Sequence, residues 1–288
     1  MIELQNLSFS YRKGVVTLKD VTTSFPPGIH LLLGENGAGK TTLLEVMSGL
    51  LRPQEGECTI GGMDVASRGP EVMRRLFFLG DHMVFPAKNI AAMVRCHASL
   101  YPGFDAGLLK DNLDAFGIDE RCPFTKMSLG TCRKAQLAYA LSLGVDVLLL
   151  DEPANGLDIK AKQTLANIMA SSVGENQTVI VSTHTVQDLE NLFDGVALIS
   201  AGQLLFNASM DSVASRLAFT ASMQPLQGSL YCEMRTGLYH AVMEMSGDYA
   251  EAAGKPDLTM LYNAAFSTAR ERIIQLLNSE HPLSASHS

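Results

Sequence analysis

Residues 34–42 read Gly34-Glu35-Asn36-Gly37-Ala38-Gly39-Lys40-Thr41-Thr42, directly after the apolar run His30-Leu31-Leu32-Leu33. Such a stretch does little for stability, since glycine is costly to order and lysine awkward to bury. It fits G-x-x-x-x-G-K-[ST] at Gly34, Gly39, Lys40 and Thr41, with a strand expected before it (Ile29 to Leu33) and a helix after it (Lys40 to about Leu50). Gly34, Gly37 and Gly39 let successive backbone N–H groups approach an anion where a Cβ would block them. The helix start points its positive end at the same place. Residues 34–42 therefore read as a nucleotide phosphate cradle. Lys40 sits on the β/γ-phosphates, Thr41 offers its hydroxyl to Mg²⁺ and Thr42 bonds a phosphate oxygen.

A second constellation narrows the chemistry. Leu148-Leu149-Leu150-Asp151-Glu152-Pro153 puts two carboxylates at the carboxyl end of a buried strand, where ligands of open α/β sheets sit. Asp151 is placed to hold Mg²⁺, directly or through water. Glu152 is placed to polarise a water against the γ-phosphate.

Bulk properties bound the rest. A chain of 288 residues, 47% hydrophobic, suffices for one large domain or a large one with a small companion. The net charge of −8, without a basic run, argues against broad nucleic-acid binding. Cys58, Cys96, Cys122, Cys132 and Cys232 form no CxxC pair and read as reduced thiols. Met1 to Leu4 has neither the basic nor the apolar region of an export signal. No stretch approaches the roughly 18 apolar residues that span a bilayer, so a role at a membrane would pass through a partner.

Along the chain, Met1 to Phe9 and Val15 to Phe25 read as strands ending at Pro26-Pro27-Gly28, and residues 57–61 as another. Gly69-Pro70 opens a short helix leading into Leu76 to Leu79. Between residues 87 and 143 the pattern turns helical, over Asn89 to Leu100, Asp105 to Phe116 and Ser128 to Leu143. The α/β pattern resumes with Val145 to Leu150, a helix over Ile159 to Ser171, a strand over Thr178 to Ser182 and a helix over Val186 to Leu192. Val196 to Ser200 and Gln203 to Phe206 read as a hairpin around Ala201-Gly202. From about residue 219 the chain is Met-rich and less regular. Met223, Met234, Met243, Met245 and Met260 read as a small core or dimer contact. Leu258 to Leu277 reads as one terminal helix, with a polar, frayed tail after Asn278. There is no internal repeat.

The order of motifs resembles the nucleotide-binding subunit of an ATP-binding-cassette (ABC) transporter, over roughly residues 1–217. Asn155-Gly156-Leu157-Asp158 resembles the loop after the catalytic glutamate. Ser182-Thr183-His184 resembles the switch-histidine motif, implying that His184 senses the γ-phosphate and orients the attacking water. Met127 to Lys134 resembles the LSGGQ signature, implying that Ser128, Gly130 and the helix start cap ATP held by another subunit, with Arg133 and Lys134 one turn in. Tyr11 matches the aromatic that stacks on adenine. Singly, a strand-end histidine or Tyr11 reads as well as a structural residue, and order and spacing together carry the resemblance.

What the resemblance implies is a P-loop ATPase of the α/β class with an N-terminal antiparallel β subdomain and a helical insertion (about 87–143). A small α+β C-terminal extension (218–288) would follow the ATPase domain (1–217). It further implies a Mg²⁺-dependent ATPase that uses ATP, with Lys40, Glu152 and His184 catalytic. The implied partners are a second ABC ATPase subunit, in a homodimer or heterodimer, and integral membrane permease subunits. The chain would then sit in the cytoplasm, on the cytoplasmic face of the membrane. Leu100 to Asp105 resembles a pattern of bacterial exporters with separate ATPase chains, although a helix break with an Asp cap explains it equally. Rival readings are a soluble ABC-type ATPase and a nucleotide-dependent regulator. Three departures stand out: Leu129 replaces a signature glycine, Ala154 a usual threonine, and Gly80-Asp81-His82 offers no glutamine for Mg²⁺. Asp81 is the nearest match there, a carboxylate that can ligate Mg²⁺ but cannot donate as an amide does.

Overall fold

The structure, a computed structural model, describes residues 1–12, 15–184, 192–246 and 254–279. The chain divides into two compact units, Met1–Phe193 with Leu198–Leu204, and Asp194–Ala197 with Leu205–Ser288. It therefore crosses from one unit to the other at residues 193–194, 197–198 and 204–205.

In the first unit β1 (Ile2–Phe9) pairs antiparallel with β2 (Leu18–Phe25) on one side and β4 (Glu55–Ile60) on the other, with β5 (Met63–Asp64) beyond β4. Ile2, Leu4, Leu7 and Phe9 are buried, the mark of a sheet with one apolar face. Their alternation slips between Leu4 and Leu7, where Asn6 has φ 48° and the register with β2 shifts, as at a bulge. β2 begins at Leu18 and not at Val15, which makes only an isolated bridge with Arg12.

The parallel core runs β3 (Gly28–Leu33), β8 (Thr178–Ser182), β7 (Val147–Asp151) and β6 (Leu76–Leu79), side by side in that order. Every residue of β7 and β8 is buried, as expected for strands covered on both faces. Within this unit the Leu198–Ser200 end of β9 (Gly195–Ser200) flanks β3.

α1 (Lys40–Met47) follows β3 and stops short of the expected Leu50. Gly49, at φ 71°, turns the chain there and its N–H bonds back to the Val46 carbonyl. α2 (Pro70–Met73) precedes β6. α3 (Ile90–His97), α4 (Ala106–Phe116) and α5 (Leu129–Leu141) fill the stretch between β6 and β7, and α6 (Ile159–Ser172) lies between β7 and β8. Asn89, Asp105, Ser128 and Asp158 cap α3 to α6 by accepting a backbone N–H three residues on.

Tyr139 of α5 is fully buried against Phe77 and Phe85, and its hydroxyl lies 2.9 Å from His97 Nδ1. Burial holds the His97 pKa below its ordinary 6.5. The unfolded chain therefore binds the extra proton first on acidification. The contribution of His97 to stability is flat above about pH 6.5 and falls as pH drops from there through the folded pKa. Melting temperatures between pH 7.5 and 5 should show a shallower acid-side decline for His97→Gln than for the wild type, by a few degrees.

In the second unit the Leu205–Ser209 part of β10 (Gln203–Ser209) leads to α7 (Met210–Arg216) and an antiparallel sheet of β11 (Leu217–Ser222), β13 (Leu238–Glu244) and β12 (Tyr231–Arg235), with β13 central. The Met-rich stretch, read as less regular, holds this sheet, and with the helices around it the region is the α+β extension expected. Met243 and Met260 are buried, whereas Met223 and Met234 are exposed. The expected single terminal helix is two, α8 (Leu258–Ala265) and α9 (Arg270–Asn278). They part where Ser267 Oγ donates to the Ala264 carbonyl and accepts the Ala269 N–H. The helix expected at Val186 to Leu192 falls almost wholly, and the tail from residue 280 wholly, outside the described residues.

Candidate functional site

The glycine-rich turn leaves β3 and enters α1 at the carboxyl end of the parallel sheet. Gly39 sits at φ 106°, open to glycine and unfavourable to residues bearing a Cβ. Gly34 is fixed by contact: a Cβ there would run into the Ile199 carbonyl oxygen. Lys40 is buried, and its Nζ donates to the carbonyls of Gly34 (2.7 Å) and Glu35 (3.2 Å), so the turn holds its own cation in place. Burial lowers the Lys40 pKa, and the facing charges of Glu152 and Asp151 oppose that shift.

Asp151, at the end of β7, is buried. Its carboxylate accepts the Thr41 hydroxyl (2.9 Å) on one oxygen and the Ser182 hydroxyl on the other. One acid thereby ties α1, β7 and β8 together, which satisfies a carboxylate that would be costly to bury alone. Glu152 follows at φ 46°, a strained region for a residue with a side chain. Its N–H donates to the Ser182 carbonyl (3.0 Å), and its Oε1 lies 3.0 Å from His184 Nδ1. Half-exposed His184 at the end of β8 and mostly covered Glu152 at the end of β7 therefore form a pair.

A cavity of about 490 Å³ brings Asn36, Gly37, Gly39, Lys40, Thr41 and Thr42 together with Thr17, Asp81, Glu152, Asn155 and His184. Asp81 faces it, but its carboxylate oxygens accept from Asn155 Nδ2 (3.4 and 3.5 Å) and one lies 3.4 Å from His82 Nε2. The Tyr11 hydroxyl reaches the turn, 3.2 Å from Thr42 Oγ1 and donating to Glu45 (3.0 Å), while the residue as a whole is 59% exposed. Ser128 and Gly130 lie outside the cavity, at the start of α5. There Gly130 passes so close to the Gly156 carbonyl oxygen that a Cβ would come within 3.0 Å of it.

Arg133 is a correction. The sequence suggested a cation facing an anion from the first turns of α5, whereas the guanidinium is buried and donates to the carbonyls of Gly80, Asp151 and Glu152. Ser182, the partner of Asp151, stood inside a motif recognised only for its histidine.

Among the described residues no cluster of three or more His, Cys, Asp or Glu side chains can hold a metal ion. The oxygens of Thr41 and Asp151 nevertheless suit a hard cation that takes its other ligands from water and substrate phosphates. Again among the described residues, no helix is long and apolar enough to cross a membrane.

The family model described as ABC transporter matches residues 18–155. The chain is 29% identical over 225 residues to the ABC transporter ATP-binding protein NatA of Bacillus subtilis, covering 74% of this chain and 91% of that one. It is 30% identical over 218 residues to the lantibiotic transport ATP-binding protein SrtF of Streptococcus pyogenes, covering 73% and 92%. Among solved structures, a bacterial ABC transporter cassette determined as a dimer superposes with a TM-score of 0.63 at 21% identity, over 73% of this chain and 98% of that one.

Proposed function

Given that the chain belongs to the ATP-binding proteins of ABC transporters, we propose that it is the Mg²⁺-dependent ATPase of an exporter whose membrane-spanning subunits are separate chains. The observation that carries this reading is the single cavity shared by the glycine-rich turn, Lys40, Glu152 and His184.

ATP lies with its phosphates on the backbone N–H groups of residues 37–42 and its β/γ-phosphates on Lys40. Thr41 and Asp151 are the residues that would hold magnesium, which when bound neutralises charge on the phosphates. Glu152 orients a water in line with the γ-phosphorus and takes its proton as the P–O bond to ADP breaks. His184 holds the Glu152 carboxylate and meets the γ-phosphate. Tyr11 lies under the adenine.

A second cassette, a copy of this chain or a relative, closes over the nucleotide with its own Ser128–Gly130 segment. In support, Leu129 (84% exposed) and Ile159 (73% exposed) project beside the contact of Gly130 with Gly156, an apolar surface fit for a partner. ATP bridges the two copies and hydrolysis removes the bridge. The permease docks in a groove of about 520 Å³ lined by Val84, Phe85, Phe124 and Gln136, between the turn after β6 and the helical insertion. Such a partner would hold the chain on the cytoplasmic face of the membrane. The export direction rests on the Leu100 to Asp105 pattern, and Asp81 in the glutamine position suggests altered coupling.

The test is recovery of the tagged chain from detergent-solubilised membranes. An integral membrane protein should co-purify, and Val84→Asp should reduce it severalfold without loss of ATP binding. Recovery with ribosomes, or equal recovery by the variant, would count against the reading.

A further inference from the structure

Arg133 lies in the second turn of α5, four per cent exposed. Its Nη1 donates to the Gly80 carbonyl (2.8 Å), and its Nη2 donates to the carbonyls of Asp151 (2.6 Å) and Glu152 (3.2 Å). These acceptors belong to two turns. Gly80 opens the turn carrying Asp81, while Asp151 ends β7 and Glu152 begins the turn after it. Leu79 pairs with Leu150 in the parallel ladder, so both turns leave the sheet at its carboxyl end. One guanidinium from a third element fixes the distance between them.

A buried cation needs a reason. Burial lowers the Arg133 pKa, and the charges of Asp81, Asp151 and Glu152 oppose the shift. Its Nε, also buried, has no hydrogen-bond partner among the described residues. A hydrophobic residue of similar volume would fill the space at least as well, so packing alone does not explain the arginine. Its planar fork does: Nη1 and Nη2 reach carbonyls on separate turns at once, a spread that the single nitrogen of a lysine does not have. Glu152, moreover, holds a left-handed backbone that persists only when its surroundings over-determine it.

We propose that Arg133 is a positioning residue for hydrolysis, a guanidinium staple that sets the turn of Asp81 against the turn of Glu152 and ties both to α5. This rests on the reading that the cavity hydrolyses ATP. The helix that presents Ser128 and Gly130 is the helix that carries the staple. A displacement of its start by a partner's nucleotide is therefore delivered to Glu152 in the chain's own site.

The experiment compares the full-length wild type with Arg133→Lys and Arg133→Met by three readouts: affinity for a fluorescent ATP analogue, kcat and KM for Mg-ATP, and hydrogen–deuterium exchange. kcat should fall about 10-fold in Arg133→Lys and about 10²-fold in Arg133→Met, with affinity and KM within about threefold. Exchange should quicken together in peptides covering residues 78–83 and 150–156, and stay unchanged over residues 34–42. A lysine variant with wild-type kcat overturns the proposal, as does a parallel loss of affinity and kcat, or faster exchange spread over all of α5 and the core. If Arg133→Met does not fold, Arg133→Lys decides. A wild type that binds ATP without turnover would defeat the proposed function instead, and the exchange arm would still decide whether the staple exists.

Discussion

Glu152→Gln is expected to cut ATP turnover by about 10²–10⁴-fold, the range for loss of a general base, while leaving ATP affinity within a few-fold. The amide has nearly the shape of the carboxylate and still reaches His184, 3.0 Å away in the native pair, so the cavity keeps its form. What it lacks is a site for the proton of the attacking water. The backbone at φ 46° is unaffected, because the Glu152 N–H to the Ser182 carbonyl does not involve the side chain. Phosphate release by the purified chain, with binding measured alongside, checks this. Equal turnover by both proteins would remove Glu152 from the reaction.

The second large effect is on binding. Lys40→Ala should weaken ATP affinity by about 10- to 100-fold, the order expected for a charge-assisted hydrogen bond to phosphate in a partly desolvated site. The loss has two parts. The cation on the phosphates disappears, and the carbonyls of Gly34 and Glu35 lose the donor that steadies the turn. Titration calorimetry with ATP is the measurement. An unchanged dissociation constant would mean that the phosphates do not rest on this turn.

The parts legible in the sequence are those in which backbone geometry forces the residue type. Gly39 sits at φ 106° and Gly34 has no room for a Cβ, so the turn is spelled in glycine and is legible in the sequence. The buried strands β7 and β8 announce themselves as unbroken apolar runs, and α3 to α6 by capping residues followed by helical spacing.

What escaped reading has equally physical causes. Arg133 looks like any basic residue near a helix start, because burial of a cation depends on carbonyls brought from β6 and β7 and leaves no local trace. The sheet of the second unit is written in weakly alternating residues, with methionine and glutamate on its strands. Its signal was the turn: Thr236 and Gly237, at φ 48° and 87°, are the two left-handed residues that join β12 directly to β13. The break between α8 and α9 carries neither glycine nor proline; a serine side chain bonding the backbone does the work, and apolar spacing runs straight across it.

The three passages of the polypeptide between its units bear on its turnover. A single nick after Leu204 would leave Asp194–Ala197 on one fragment and the remainder of its unit on the other. Cleavage by a protease at that point would release the C-terminal piece without Asp194–Ala197.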